Sequence, residues 1–251
     1  MSWTELVKPS GALAALMIAA LGVDASAATL VVRSSGPSAK AYPPGKQLAD
    51  NGTLTLKAGD QVVILDSRGT RTLKGPGTFS PSVASNRASD SRETFAQASS
   101  RRARPGATRG VTPASAASTR NPNIWFVDVE RSSTVCVADP SSVTLWRPAG
   151  GPGTTLTLTD MGSGKSASVE WLPGEATLQW PSSLPLSDGG SYRVTWRGQA
   201  TPTQLRFAFL EPATAGLEDM ASKLITKGCD AQLDLLIETV AIPDTTDKPV
   251  G

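Results

Sequence analysis

The amino-acid sequence predicts a mainly β protein, with a small β module, a β-sandwich and a C-terminal two-helix hairpin. Short stretches of alternating apolar residues recur along most of the chain, and turns containing many of its 23 Gly and 19 Pro separate them. Helical spacing of apolar residues occurs only near the C terminus. The 24 Lys and Arg nearly balance the 22 Asp and Glu, so no basic field indicates nucleic acid as a partner.

Residues 1–27 have the features of a cleavable signal peptide. An apolar run at 11–23 follows Lys8, and Ala25-Ser26-Ala27 provides the small-x-small pattern of a cleavage site. We therefore predict cleavage after Ala27 and a periplasmic or secreted protein. The alternative is an uncleaved anchor, but the run is shorter than the roughly 20 residues that span a bilayer. No stable membrane span is expected after cleavage.

Residues 28–81 predict a compact β module. Strand-like runs at 29–33, 53–56, 61–65 and 70–73 are separated by glycine-containing turns. Four stretches carry a resemblance to the FecR-like domain of bacterial envelope proteins: 44–48 (PGKQL), 51–56 (NGTLTL), 58–60 (AGD) and 75–79 (GPGTF). The resemblance implies a periplasmic β module. It does not imply the regulatory role of its namesakes, because a signal peptide stands here in place of their cytoplasmic arm.

Residues 82–121 are predicted to form a basic linker rich in Ser, Ala and Arg, with a short candidate helix at 91–103. Its arginines could bind an anionic envelope component or an acidic partner. A solvated linker with scattered charge is the alternative. The candidate anion-binding residues are Arg101, Arg102, Arg104 and Arg109.

Residues 122–212 contain eight short strand-like segments at regular spacing, a pattern typical of a β-sandwich. The stretch Leu186–Tyr192 resembles the tyrosine corner of immunoglobulin-like domains, in which the phenol hydroxyl holds the preceding turn.

Residues 213–242 predict two helices. Apolar residues at 217, 220, 221, 224 and 225 form one stripe, which ends at Gly228, and those at 233, 236, 237 and 240 form the second. The sandwich is the expected packing surface of this hairpin. Residues 243–251 are expected to be a flexible tail.

The two cysteines, Cys136 and Cys229, are predicted to form a disulfide. An exported chain enters an oxidising compartment, where an even number of cysteines favours pairing. A catalytic thiol and a metal pair are the alternatives, but the chain contains no histidine to complete either site. No metal or other cofactor is expected.

The tryptophans of the sandwich segment permit two interpretations. Exposed indoles would form a glycan-stacking platform, whereas buried ones would fill the core, which we favour. The candidate stacking residues are Trp125, Trp146, Trp171, Trp180 and Trp196.

The catalytic patterns in the sequence are weak. Gly162–Ser166 ends like a phosphate-binding loop, but Thr159 stands where that motif has its first glycine, and two predicted strands flank the stretch, so we interpret it as a hairpin turn. The absence of histidine excludes a Ser-His-Asp triad. Asp128 and Glu130 would share one face of a strand, as paired carboxylates or a cation site require, but solvent-facing alternation explains them equally well.

The function expected from the sequence is therefore non-enzymatic. The first hypothesis is an exported binding or scaffolding protein that engages another envelope or membrane signalling protein. The alternative is a protein that binds cell-wall or surface polysaccharide. A hydrolase is the least favoured, because only carboxylates remain as acid and base groups.

Overall fold

The computed structural model describes residues 29–82, 120–148, 151–211 and 216–242. The predicted leader, the predicted tail and most of the predicted linker lie outside these residues. The candidate helix at 91–103 and Arg101, Arg102, Arg104 and Arg109 lie outside them too. Within the described ranges the chain folds into four sheets and two C-terminal helices. This confirms the predicted mainly β fold with a helical hairpin.

The N-terminal module contains two sheets, one of four strands in the order β2-β1-β4-β5 and one that pairs β3 with β6. One face of the larger sheet packs on the smaller sheet through Val31, Ile64 and their neighbours. The other face, with Leu30, Val32 and Leu65, packs on the helices. Because both faces are buried, β1 and β4 each contain a run of consecutive apolar residues, 30–32 and 62–65. The strands are β1 (Thr29–Ser35), β2 (Gln47–Leu48), β3 (Leu54–Leu56), β4 (Gln61–Asp66), β5 (Gly69–Lys74) and β6 (Gly77–Phe79).

The sandwich contains all eight predicted strands. Its sheets have the orders β11-β10-β13-β14-β8 and β12-β9-β7, and their inward-facing apolar residues form one core. The pairs β14–β8 and β7–β9 are parallel and the others antiparallel. The strands are β7 (Phe126–Asp128), β8 (Ser133–Val137), β9 (Thr144–Trp146), β10 (Thr154–Asp160), β11 (Ser166–Trp171), β12 (Thr177–Gln179), β13 (Ser191–Trp196) and β14 (Thr203–Phe209).

The predicted tyrosine corner is present. The buried Tyr192 hydroxyl donates a hydrogen bond to the Pro185 carbonyl at 3.0 Å and accepts one from the Ser187 N–H at 3.1 Å. These bonds hold the turn that leads into β13, which confirms the role predicted for this hydroxyl.

The helical hairpin consists of α1 (Gly216–Lys227) and α2 (Asp230–Thr239). Gly228 follows α1 with φ +72°, a left-handed conformation that glycine adopts without strain and that ends a helix. The buried residues Ala221, Leu224 and Leu233 belong to the predicted apolar stripes. Neither helix of the described chain is long and apolar enough to cross a membrane.

The hairpin lies between the sandwich and the N-terminal module. It packs on the outer side of the five-stranded sheet at Cys136 and Ala208, and on the module at β1 and β4. The sequence prediction placed the hairpin on the sandwich alone, and the structure adds the module as a second packing surface. Ion pairs reinforce the packing of the hairpin on the module, since the Arg33 guanidinium of β1 lies 2.9 and 2.7 Å from the carboxylates of Asp230 and Asp234 in α2.

The chain after α2 also contacts the module. The Thr70 N–H donates a hydrogen bond to the Val240 carbonyl at 3.0 Å, and the Thr70 carbonyl accepts one from the Ile242 N–H at 3.1 Å. Residue Ala241 thereby forms a parallel bridge to the edge of β5. The N-terminal module is therefore linked to the chain that follows the hairpin by backbone hydrogen bonds, as well as to the hairpin by apolar packing.

Candidate functional site

The predicted disulfide joins Cys136 to Cys229. Both residues are fully buried, Cys136 in edge strand β8 and Cys229 in the turn between the helices. The bond links the hairpin covalently to the sandwich across a sequence separation of 93 residues. No free cysteine remains, so a thiol nucleophile is unavailable in this oxidised form.

Gln232 of α2 also joins the hairpin to the sandwich, through hydrogen bonds to the backbone. The Cys136 N–H donates to the Gln232 side-chain oxygen at 2.6 Å, and the Gln232 amide donates to the carbonyls of Cys136 and Ile124, both at 2.9 Å. The side chain is 6% exposed. The glutamine thus satisfies the backbone groups on the outer side of edge strand β8, much as a neighbouring strand would. Sequence reasoning missed this role, although a polar residue beside the apolar stripe of α2 was a signal for it.

Most of the sandwich tryptophans are core residues. Trp146 is 3% exposed and Trp171 is not exposed, so a stacking role is wrong for these two. The half-buried Trp180 makes edge-to-face contacts with Tyr192 and Phe207, and Trp196 also packs against the core. The five indoles therefore do not form one ligand-stacking face. Core packing, the favoured alternative, accounts for these four.

Trp125 is the exposed exception, at 36%. It lines a recess of about 200 Å³ together with Asp139 and Ser142. That volume is below the range usual for small-molecule sites. The Asp139 carboxylate accepts hydrogen bonds from the Ser141 hydroxyl and N–H at 2.6 and 2.9 Å, which lower its pKa. The recess therefore supplies one indole but no free carboxylate that converges with it.

The stretch that resembles a phosphate-binding loop is a β-hairpin turn, as expected. It joins β10 to β11, and Gly164 has φ +71°. The Asp160 carboxylate accepts hydrogen bonds from the Ser163 hydroxyl and the Gly162 N–H, which lower its pKa. The Asp160 carbonyl accepts a bond from the Gly164 N–H, and the Asp160 N–H donates one to the Lys165 carbonyl. This arrangement is a four-residue hairpin loop, residues 161–164, that ends in a glycine bulge at Gly164.

The turn determines which backbone groups of β11 face outward. Because Asp160 and Lys165 are hydrogen-bonded to each other, the next hydrogen-bonded pairs are Leu158–Ala167 and Leu156–Val169. The N–H and C=O groups of the alternate residues must point away from β10. On β11 these residues are Ser166, Ser168 and Glu170.

The outer edge of β11 is unpaired in the described part of the chain. The strand terminates its sheet, and six successive residue pairs join it to β10 without a bulge. The edge carries neither proline nor lysine within the strand, two devices that commonly block edge pairing. Leu172, at the end of the strand, is 49% exposed. Among the residues that the structure describes, β11 is thus a regular strand with a free hydrogen-bonding edge.

The acidic pair noted in the sequence does not form a site. Burial raises the pKa of Asp128, while a hydrogen bond from the Glu130 N–H at 2.9 Å and the nearby Arg131 oppose this rise. The hydrogen bond between the two residues thus uses the backbone N–H of Glu130 and not its carboxylate. Within the described ranges, no three His, Cys, Asp or Glu residues come together as a metal site requires.

No protein-family model matches this chain, and no curated protein matches it significantly.

Proposed function

We propose that this chain is an exported, non-enzymatic binding protein that engages another envelope protein through the edge of β11. The observation that carries the proposal is this edge, which no described residue pairs, with three outward-facing backbone positions at Ser166, Ser168 and Glu170. An extended segment of a partner can add to such an edge as a further strand, through main-chain hydrogen bonds.

Two observations support an envelope location. A structural disulfide persists in oxidising compartments and is rare in the cytosol, and this one is fully buried between two elements. The predicted leader, with cleavage after Ala27, would deliver the chain to such a compartment. The resemblance of residues 29–81 to FecR-like modules is consistent with the bacterial envelope.

The chemistry of the chain supports binding rather than catalysis. The sequence lacks histidine, the side chain most often used for proton transfer near neutral pH. Both cysteines are joined in the disulfide. The carboxylates of Asp139 and Asp160 accept local hydrogen bonds that hold turns. These groups have structural roles already.

The test is site-specific photo-crosslinking in cells of the native host. A p-benzoyl-phenylalanine in place of Leu172 lies beside the free edge, and one in place of Lys227 lies on the hairpin as the positional control. We expect a defined protein adduct at position 172 that is absent at position 227. In the same experiment, sequencing of the purified chain should find Ala28 at its N terminus.

Proline substitution distinguishes strand addition from other contacts. Ser168→Pro removes an N–H that faces outward, so it should abolish the adduct without breaking a hydrogen bond to β10. Ser168→Val keeps the N–H and should retain the adduct. An adduct that survives Ser168→Pro, or that disappears equally with Ser168→Val, would contradict strand addition at β11.

A further inference from the structure

The outer face of the five-stranded sheet is only partly covered by the helical hairpin. The hairpin packs where Cys136 and Ala208 lie, at the β8 side of the sheet. Across β10, β11 and β13, the residues facing away from the core are polar, and each of them is either exposed or half-buried. This surface is distinct from the β11 edge, since it presents side chains rather than backbone groups.

Two rows of hydroxyl groups lie side by side on this face. The Thr159 and Ser166 hydroxyl oxygens are 2.9 Å apart, and those of Thr157 and Ser168 are 3.5 Å apart. Each pair uses one hydroxyl proton between its members, so one donor and several lone pairs remain available per pair. A regular array of this kind can bind the hydroxyls of an extended sugar chain.

Two arginines stand beside the hydroxyl rows. Arg193 of β13 is opposite Gln204, and Arg206 of β14 is opposite Ser191. The two arginines are therefore diagonal neighbours on one face, with about 7–8 Å between their positions. Both are exposed, and neither forms an ion pair or a side-chain hydrogen bond with any described residue.

Glu170, the acidic residue of this face, lies on β11, at the opposite edge of the face from the arginines. Glu170 belongs to β11 and is opposite Thr155, so β10 separates it from Arg193. The guanidinium groups thus have no nearby carboxylate on neighbouring strands of the face. A guanidinium presents its N–H donors as a planar fork, which binds a carboxylate with two parallel hydrogen bonds. A lysine cannot bind a carboxylate in this way.

We propose that this face binds a polysaccharide that carries carboxylate groups. The arginines would bind the carboxylates, and the hydroxyl rows formed by Thr157, Thr159, Ser166 and Ser168 would bind the sugar hydroxyls. A protein is a poorer ligand, because the face lacks the aromatic or apolar centre of a protein interface. This site does not depend on a protein partner at the β11 edge. It also differs from the tryptophan platform and from the anion-binding linker arginines suggested by the sequence.

The test is calorimetric titration of the purified chain with a galacturonic acid hexamer and with its methyl ester, whose carboxylates are neutralised. We expect the hexamer to bind and the ester to bind at least about fivefold more weakly. The Arg193→Gln/Arg206→Gln variant should lose about fivefold to tenfold in affinity for the hexamer, as two exposed charge contacts allow.

The matched control is Lys74→Gln/Lys227→Gln, which removes the same charge from β5 and α1, where both lysines are exposed. It should bind like the wild type. Absence of hexamer binding, equal binding of the ester, or equal affinity of the arginine variant would each overturn the proposal. The arginine variant should keep the crosslink at position 172, which separates this proposal from strand addition.

Discussion

Replacing Gln232 by leucine tests whether this amide holds the hairpin on the sandwich. Leucine has a similar size but cannot make the three hydrogen bonds that join Gln232 to Cys136 and Ile124. Each buried N–H or C=O left unpaired costs about 1–3 kcal/mol, and the additional apolar burial recovers part of this. We therefore expect Gln232→Leu to lower the free energy of unfolding by about 3 kcal/mol.

The assay is urea unfolding under non-reducing conditions, followed by tryptophan fluorescence. The matched control is Gln204→Leu, because Gln204 is exposed on β14 and its side chain makes no hydrogen bond with a described residue. This variant should stay within about 0.5 kcal/mol of the wild type. If Gln232→Leu falls within the same margin, the reasoning about buried backbone groups is wrong.

The Gln232→Glu variant tests the same contact in a second way, because its free energy of unfolding should depend on pH. Its new carboxylate would be buried and would face two carbonyl oxygens, so its pKa would rise on folding. A raised pKa means that the variant is most stable below about pH 4.3, the pKa of unfolded Glu, and loses stability as the pH rises through the folded value. Urea unfolding at several pH values should show this loss, which Gln232→Leu should lack.

Three further predictions use the same unfolding assay. Changing Cys136 and Cys229 to alanine should cost about 4–5 kcal/mol, because the unfolded chain is no longer closed into a loop. Tyr192→Phe should cost about 1–2 kcal/mol, because the Ser187 N–H loses its acceptor. Although burial raises the pKa of Asp60, hydrogen bonds from its neighbours lower it overall. Asp60→Asn should therefore be less stable than the wild type above about pH 4, and this difference should shrink as the pH falls through the lowered folded pKa.

Each of these predictions has a distinct contradicting result. An alanine variant of both cysteines with unchanged stability in oxidising buffer would show that the bond contributes nothing. An unchanged Tyr192→Phe would show that the Ser187 N–H has another partner. A constant difference between Asp60→Asn and wild type from pH 7 to acid would show that the carboxylate of Asp60 is not linked to folding.

Much of the fold could be predicted because local periodicity determines it. Strands β10, β11, β13 and β14 alternate between more and less buried positions, so their periodicity was visible in the sequence. The hairpin loop at Gly164 and the helix end at Gly228 were visible because each needs a left-handed backbone. The pairing of Cys136 with Cys229 followed from an even cysteine count in a chain predicted to be exported.

The packing of the hairpin on the sandwich was predicted, but its second packing surface on the N-terminal module was not, because that surface depends on which sheet faces are left uncovered. β1 and β4 carry consecutive apolar residues such as Leu30, Val31 and Val32, a pattern that requires cover on both faces. This pattern could have indicated that the N-terminal module needs a further layer. The role of Gln232 depends on the distant strand β8, and strand order cannot be inferred from periodicity.

The candidate binding edge was invisible for the same reason. Nothing in residues 166–171 distinguishes an edge strand from a central one, since both alternate. Only the sheet order places β11 at the end, and only the hydrogen bonds of the turn show which amides face outward. The tryptophans were ambiguous in the sequence because an indole fits a core and a ligand face equally well.

The most direct test of strand addition is amide hydrogen exchange, followed by NMR, on the purified chain with a synthetic peptide of the crosslinked partner segment. If the peptide adds as a strand at β11, it should slow amide exchange at Ser166, Ser168 and Glu170. Ala167 and Val169, already bonded to β10, should change little. Unchanged exchange at the three outward amides in the presence of bound peptide would contradict strand addition.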